Sequence, residues 1–211
     1  MRRNNWLFLT LLLCLFQIIS SQENRKVLII DPGHGGMDSG AVSVQGLKEK
    51  DVVLAIAQEM LVWNKILLED TYDIYLTRGR DTLISLGDRT RLAGHLKPDL
   101  FISLHCNHSD NGKAKGVEVF IHMESGPQTK LIGKSRIISK TLLEGLNNNL
   151  GFENRDIQQG DFQVLRETMN VCPALLIELG FLSNSDESRH LMDREKRRAL
   201  ALAILMAIKL E

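Results

Sequence analysis

Short runs of β-branched and apolar residues alternate along this chain with longer stretches whose apolar side chains recur every three or four positions, and that alternation constrains the fold most. Residues 26–31 (KVLIID) end in Pro-Gly, the mark of a buried strand opening into a loop. From Asp51 onward, Val52, Ile56, Met60, Trp63 and Leu67 fall on one helical face. Residues 72–77 (YDIYLT) alternate as a strand, and 83–97 read as a helix stopped by Pro98. Residues 100–104 (LFISL) and 116–122 (GVEVFIH) read as two further strands. A helix follows over 131–146, closed by a glycine and asparagine cluster at 145–151. Residues 173–179 (PALLIEL) are another apolar strand, and 194–210 form a helix apolar around most of its circumference. This order predicts an α/β fold, a mainly parallel twisted sheet with helices on both faces. No repeat, low-complexity tract or linker divides residues 22–211, so they read as a single domain.

Charge excludes one large class of function. Lysine plus arginine and aspartate plus glutamate both number 26, and no basic run marks a phosphate-reading face, so no nucleic-acid partner is expected. The N-terminus is a separate matter. Arg2 and Arg3 precede an almost wholly apolar run at 6–19, followed by Ser20 and Ser21, which reads as a secretory signal peptide over 1–21. The run falls short of the ~20 residues of a membrane span, so no integral span is expected in the mature chain; retention as an uncleaved anchor is the alternative. Cys14 lacks the small residue expected just before a lipidated cysteine and reads as apolar filler. Cleavage after Ser21 would leave Cys106 and Cys172, too few for a disulfide framework, with a single bridge between them left open.

In open α/β sheets ligands collect beyond the carboxyl ends of the strands. Asp31-Pro32-Gly33-His34-Gly35-Gly36 follows the first strand, Ser103-Leu104-His105-Cys106-Asn107 ends a central one, and Glu178 ends the apolar run 173–177. Two histidines and a carboxylate from separate elements make a His₂Glu set, the ligand type of catalytic zinc sites that keep a position for water. An ionised Glu178 behind Leu176 and Ile177 is costly to bury without a partner, and a nearby metal with its water would supply one. Each residue also has an ordinary reading. His34 in His-Gly-Gly suits a turn, and His105 suits a packed or solvated strand end. Glu49, within Lys48-Glu49-Lys50-Asp51, suits a solvated first-turn helix acid, and Glu178 a structural ion pair. His95, His108, His122 and His190 show that histidine alone selects nothing. The combination carries the signal.

That combination resembles the zinc-dependent N-acetylmuramoyl-L-alanine amidases, whose opening motif DxGHGGxDxGA matches Asp31 to Ala41 here. The likeness continues through Glu49, Leu76-Thr77-Arg78 with Asp81, Arg89 before Ala93, Ser103 to Asn107, Gly116 to Val119, Asn154-Arg155, Val164 to Arg166 and Pro173 to Asn184, covering essentially all of 26–210. The resemblance implies one zinc per chain held by His34, Glu49 and His105, with Glu178 as catalytic acid/base. It implies peptidoglycan as substrate, cleaved at the amide between the muramic acid lactyl group and L-alanine. Asn107, Glu118 and Arg155 are candidates for substrate or supporting contacts. Cys106, Gly94, Asp156 and Leu179 depart from the usual alanine, asparagine, glycine and threonine, and Cys106 and Leu179 adjoin the site.

Two other classes are weighed beside this reading: a zinc exopeptidase acting on ordinary peptides, and a non-catalytic wall-binding protein, which would have no need of Glu178 as a base. The expected location is the periplasm or cell envelope after export, as a monomer, with an external activator or wall-targeting partner as a further expectation. Some regulated relatives insert a helical segment over the zinc; here 123–130 (MESGPQTK) is too short and carries Gly-Pro, which predicts an open cleft.

Overall fold

The computed structural model describes residues 25–123, 129–208 and 210. The leader expected over 1–21 and the middle of the 123–130 connection, on which the open-cleft expectation rests, lie outside the described residues. No helix among the described residues is long and apolar enough to cross a membrane.

Six strands form one sheet: β1 (Lys26–Pro32), β2 (Tyr72–Leu76), β3 (Leu100–Asn107), β4 (Val117–Ile121), β5 (Asn154–Gln159) and β6 (Ala174–Phe181), in spatial order β2-β1-β3-β6-β4-β5. Strands β2, β1, β3 and β6 are mutually parallel, as expected of apolar runs buried on both faces. Strand β4 pairs antiparallel with β6 and parallel with β5, so this outer pair runs the other way.

The helices are α1 (Glu49–Ile66), α2 (Leu86–Leu96), α3 (Thr129–Leu150), α4 (Gln163–Thr168), α5 (Ser185–Met192) and α6 (Arg194–Ala207). Strand side chains alternate between two apolar layers. Leu28, Ile30, Leu100, Ile102, Leu104, Val119 and Ile177 pack with Ile56 and Met60 of α1, Leu142 and Leu146 of α3, and Leu200 and Ile204 of α6. Ile29, Phe101 and Leu176 pack on the other face with Ala93 of α2 and Val164 and Leu165 of α4. Cys106 belongs to the first layer and Cys172 to the second, and both are free and buried, which closes the question of a bridge.

Several boundaries move, each for a local reason. Helix α2 starts at Leu86 because Ser85 caps it, accepting from the Asp88 N–H. Helix α3 runs through the asparagine cluster to Leu150. Strand β3 continues past Leu104 to Asn107, which places His105 in the sheet. Strand β5 and helices α4 and α5 were not expected from pattern. The outermost strand β5 is mostly exposed and polar, and α5 rests on an Asn184 cap rather than on an apolar stripe.

Candidate metal centre

Three chain segments converge at the carboxyl edge of β1 and β3. His34 lies in the loop after β1 with φ at 58°, a left-handed conformation for a non-glycine residue. Glu49 opens α1 and is only 3% exposed, so the helix start is tucked against the sheet edge. Glu49 Oε1 lies 3.0 Å from His34 Nε2 and 2.8 Å from His105 Nδ1, with the two imidazoles edge to face at 4.9 Å. One ligand atom from each of the three residues lies within 4.8 Å of the others, so the group can hold a metal ion.

Glycine makes the convergence possible at two points. A Cβ on Gly33 would lie 2.3 Å from the His105 ring. Gly40, at φ +62°, passes so close that a Cβ would meet Glu49 Oε2 at 2.4 Å and His34 Cδ2 at 2.6 Å. Backbone donors then fix the carboxylate: Ala41 N–H donates to Oε2 at 2.8 Å and Cys106 N–H to Oε1 at 3.0 Å. Asp38 Oδ2 sits 2.8 Å from His34 Nδ1. A carboxylate there keeps the proton on Nδ1 and leaves Nε2 facing Glu49, the arrangement that orients metal-binding histidines.

The electrostatics favour a positive charge at this point. The hydrogen bond to Glu49 raises His34 to about 9 against the opposing effect of burial. Burial pushes the Glu49 carboxyl up, but hydrogen bonds from His105 and His34 outweigh it and hold it well below the usual carboxylate range. Glu178 behaves in the opposite way. On β6 it is the register neighbour of His105 on one side and Glu118 on the other. Burial raises it to about 7, with His105 pulling down and Glu49 and Glu118 pushing up. Its Oε2 is buried and has no hydrogen-bond partner among the described residues. A buried carboxylate oxygen left unpaired beside a His–Glu–His group fits a site completed by a cation and water.

The model of the N-acetylmuramoyl-L-alanine amidase family (Amidase_3) matches residues 28–210. The chain belongs to this amidase family. A probable cell wall amidase, LytH, from Staphylococcus epidermidis is 33% identical over 196 residues, covering 92% of this chain and 61% of the relative, so the chain spans about three fifths of that protein. The crystal structure of the N-acetylmuramoyl-L-alanine amidase from Clostridium difficile 630 superposes with a TM-score of 0.78 at 32% identity, covering 88% of this chain and 95% of the other. The CwlD amidase from Clostridioides difficile, solved in complex with the GerS lipoprotein, has a TM-score of 0.76 at 27% identity, covering 87% and 96%.

In this amidase-family domain the loop bearing His34 is held by polar groups, most of them buried, to which sequence reasoning gave no role. Arg89 donates to Asp31 Oδ1 at 2.6 Å, Pro32 O at 2.7 Å and His34 O at 2.8 Å. Arg78 donates to Pro32 O at 2.9 Å, and its Nη2 bridges Gly33 O at 2.7 Å and Lys50 O at 2.9 Å. One nitrogen thus ties the residue before His34 to the residue after Glu49. Lys50 Nζ reaches Gly36 O at 2.8 Å and Asp81 Oδ2 at 2.7 Å, while Asp81 Oδ1 accepts from Gly36 N–H at 2.7 Å. The available signal was charged residues placed at strand ends, Asp31 as the penultimate residue of β1 and Arg78 two residues past β2, where a solvated loop has no need of them. Of the candidate contacts, Asn107 Nδ2 donates to Glu118 Oε1, and Arg155 Nε lies 3.4 Å from Glu118 Oε2.

Proposed function

We propose that this chain is a peptidoglycan hydrolase that cleaves the amide between the N-acetylmuramic acid lactyl group and the L-alanine of the stem peptide. In this reading His34, Glu49 and His105 hold one zinc ion and Glu178 is the acid/base. Zinc at that donor set supplies a Lewis acid, which makes water more acidic and an amide carbonyl more electrophilic. Glu178 takes the proton of the attacking water on its half-buried carboxylate and returns it to the departing L-alanine nitrogen. Its raised proton affinity suits both halves of that transfer near neutral pH. Asp38 keeps His34 in the tautomer that presents Nε2.

The observation that carries the reading is the buried Glu178 oxygen on the sheet row of His105, which has no hydrogen-bond partner among the described residues. A wall-binding module would leave that group a cost with no return. All four residues come from one chain, so a monomer suffices for the chemistry. Export by a leader over 1–21 to the periplasm or cell envelope puts the domain with its substrate, in keeping with relatives named cell wall amidases. An external activator or wall-targeting partner belongs to the same proposal, since CwlD is found with a lipoprotein. The full chain, purified with zinc, is tested on wall sacculi and on free peptides. New alanine amino termini released from sacculi alone support the amidase. Turnover of free peptides alone would make it an exopeptidase, and sacculus binding without cleavage a non-catalytic binder.

A further inference from the structure

Arg155 is a guanidinium held from several sides and left open on one. It sits second in β5, and since β4 and β5 run against β6, their starts lie at the same edge as the end of β6. Below it, the Phe181 ring lies 4.9 Å from Cζ. Phe181 is the register neighbour of Asn107, two residues beyond His105, and its N–H is pinned by Glu187 Oε2 at 2.7 Å. Beside Arg155, Glu118 Oε2 is 3.4 Å from Nε, and Lys115 O accepts from Nη1 at 3.4 Å. Nη2 has no hydrogen bond among the described residues, and the side chain is 36% exposed.

These contacts stop the guanidinium from rotating without using it up. Glu118 is 8% exposed and already accepts from Asn107, so its long contact with Nε fixes orientation more than it consumes donors. A planar fork so fixed, with a free edge, is the standard geometry for a carboxylate. The neighbourhood explains why a cation is needed. Glu118 and Glu178 face each other across β4 and β6 on the same side of the sheet, so an acidic group entering there meets repulsion unless a positive charge stands at the rim.

We infer that Arg155 forms a carboxylate subsite for the stem peptide, on the leaving-group side of the scissile amide. This rests on the amidase reading above and deepens it. The residue after L-alanine is a D-glutamate whose α-carboxyl is free in some walls and amidated in others. Arg155 therefore makes the enzyme read that difference and favour the free acid.

The test uses the full chain with zinc and two substrates differing in one group, N-acetylmuramoyl-L-alanyl-D-glutamate and its α-amide, the D-isoglutamine form. The wild type is expected to favour the acid by roughly tenfold or more in kcat/KM, mainly through KM, the size of one charge-assisted hydrogen-bonded pair. Arg155→Gln brings the ratio to about one, and Arg155→Lys leaves an intermediate ratio because charge without the fork is only partly sufficient. Equal cleavage of both substrates by the wild type overturns the subsite and leaves the amidase reading intact. Cleavage of neither by enzyme that still cuts sacculi overturns the subsite, and cleavage of neither these substrates nor sacculi overturns both. A preference that persists in folded Arg155→Gln assigns the discrimination to another group and refutes Arg155. The wild-type comparison stands even where a variant fails to fold.

Discussion

Replacing Arg78 by methionine keeps much of the side-chain volume and removes every donor. Arg78 is 3% exposed, and the substitution leaves Pro32 O, Gly33 O and Lys50 O without its guanidinium. Hydrogen bonds from a charged group contribute about 1.5–3 kcal/mol each, so these contacts together are worth several kcal/mol. Against that stands the desolvation of the guanidinium, whose proton affinity is pulled down by burial first and by neighbouring Arg89 second. Three carbonyls left unpaired cost about 1–3 kcal/mol each, and relief of the guanidinium's desolvation offsets part of this, so the net loss expected is about 3–5 kcal/mol. At roughly 2–4 °C per kcal/mol for a domain of this size, the melting temperature should fall by about 6–20 °C. Because Nη2 spans the backbones beside His34 and Glu49, metal affinity should fall as well, by about 10–100-fold, the range for groups that support ligands. Thermal unfolding by circular dichroism of the metal-free chain and zinc competition against a chelator measure the two effects separately. An unchanged melting temperature, or lowered stability with zinc affinity intact, would refute the bridging role.

Glu178→Gln should retain zinc while losing about 10²–10⁴-fold in turnover, the usual worth of general acid–base catalysis; release of metal with the rate per bound zinc preserved would make Glu178 a ligand instead. Gly33→Ala drives a Cβ into the His105 ring at 2.3 Å, so zinc occupancy by elemental analysis should drop sharply while the sheet signal in circular dichroism persists; full occupancy would contradict the packing. Without metal, stability should decline as pH rises. Glu178, about 7 against 4.5, and His34, about 9 against 6.5, both bind protons more tightly folded than unfolded, so their contribution is complete below the ordinary values and lost as pH climbs through the folded ones. Glu49 acts oppositely, its contribution present above 4.5 and lost on acidification. Urea melts across that range, with and without zinc, check the sign; metal-free stability that increases from pH 5 to 9 would overturn it.

Much of this was legible in the sequence, and the gaps have physical causes. The parallel half of the sheet was visible because strands buried on both faces must be apolar throughout, as in residues 100–104. The direction of β4 was not visible, since alternation along a strand is the same read either way. Strand β5 was missed because an outermost strand needs little apolar surface, and α5 because a cap can start a short helix with no apolar stripe. His34, His105 and Glu178 stood out by lying at strand ends. Glu49 did not, because within Lys48-Glu49-Lys50-Asp51 it has the pattern of solvated charge. Only the tertiary fold turns Glu49 and Lys50 inward while Asp51 stays exposed.

The reversed outer pair has a consequence for how a cleft of this kind can be altered. On the β1, β3 and β6 side, the edge bearing the His34–Glu49–His105 group is reached by chain that leaves strands, and on the β4 and β5 side by chain about to enter them. The two walls are therefore written in separate parts of the sequence. The segments 108–116 and 151–155, the second running into the first two residues of β5, contain none of His34, Glu49, His105 or Glu178. The first is clamped to the turn after β6 by the Ser109 N–H to Ser183 and by Asn184 to Gly112 O. Exchanging these two segments as a pair between relatives, with the 183–184 turn carried along, would transplant one wall of the cleft as a cassette and leave the wall bearing His34, His105 and Glu178 in its original sequence.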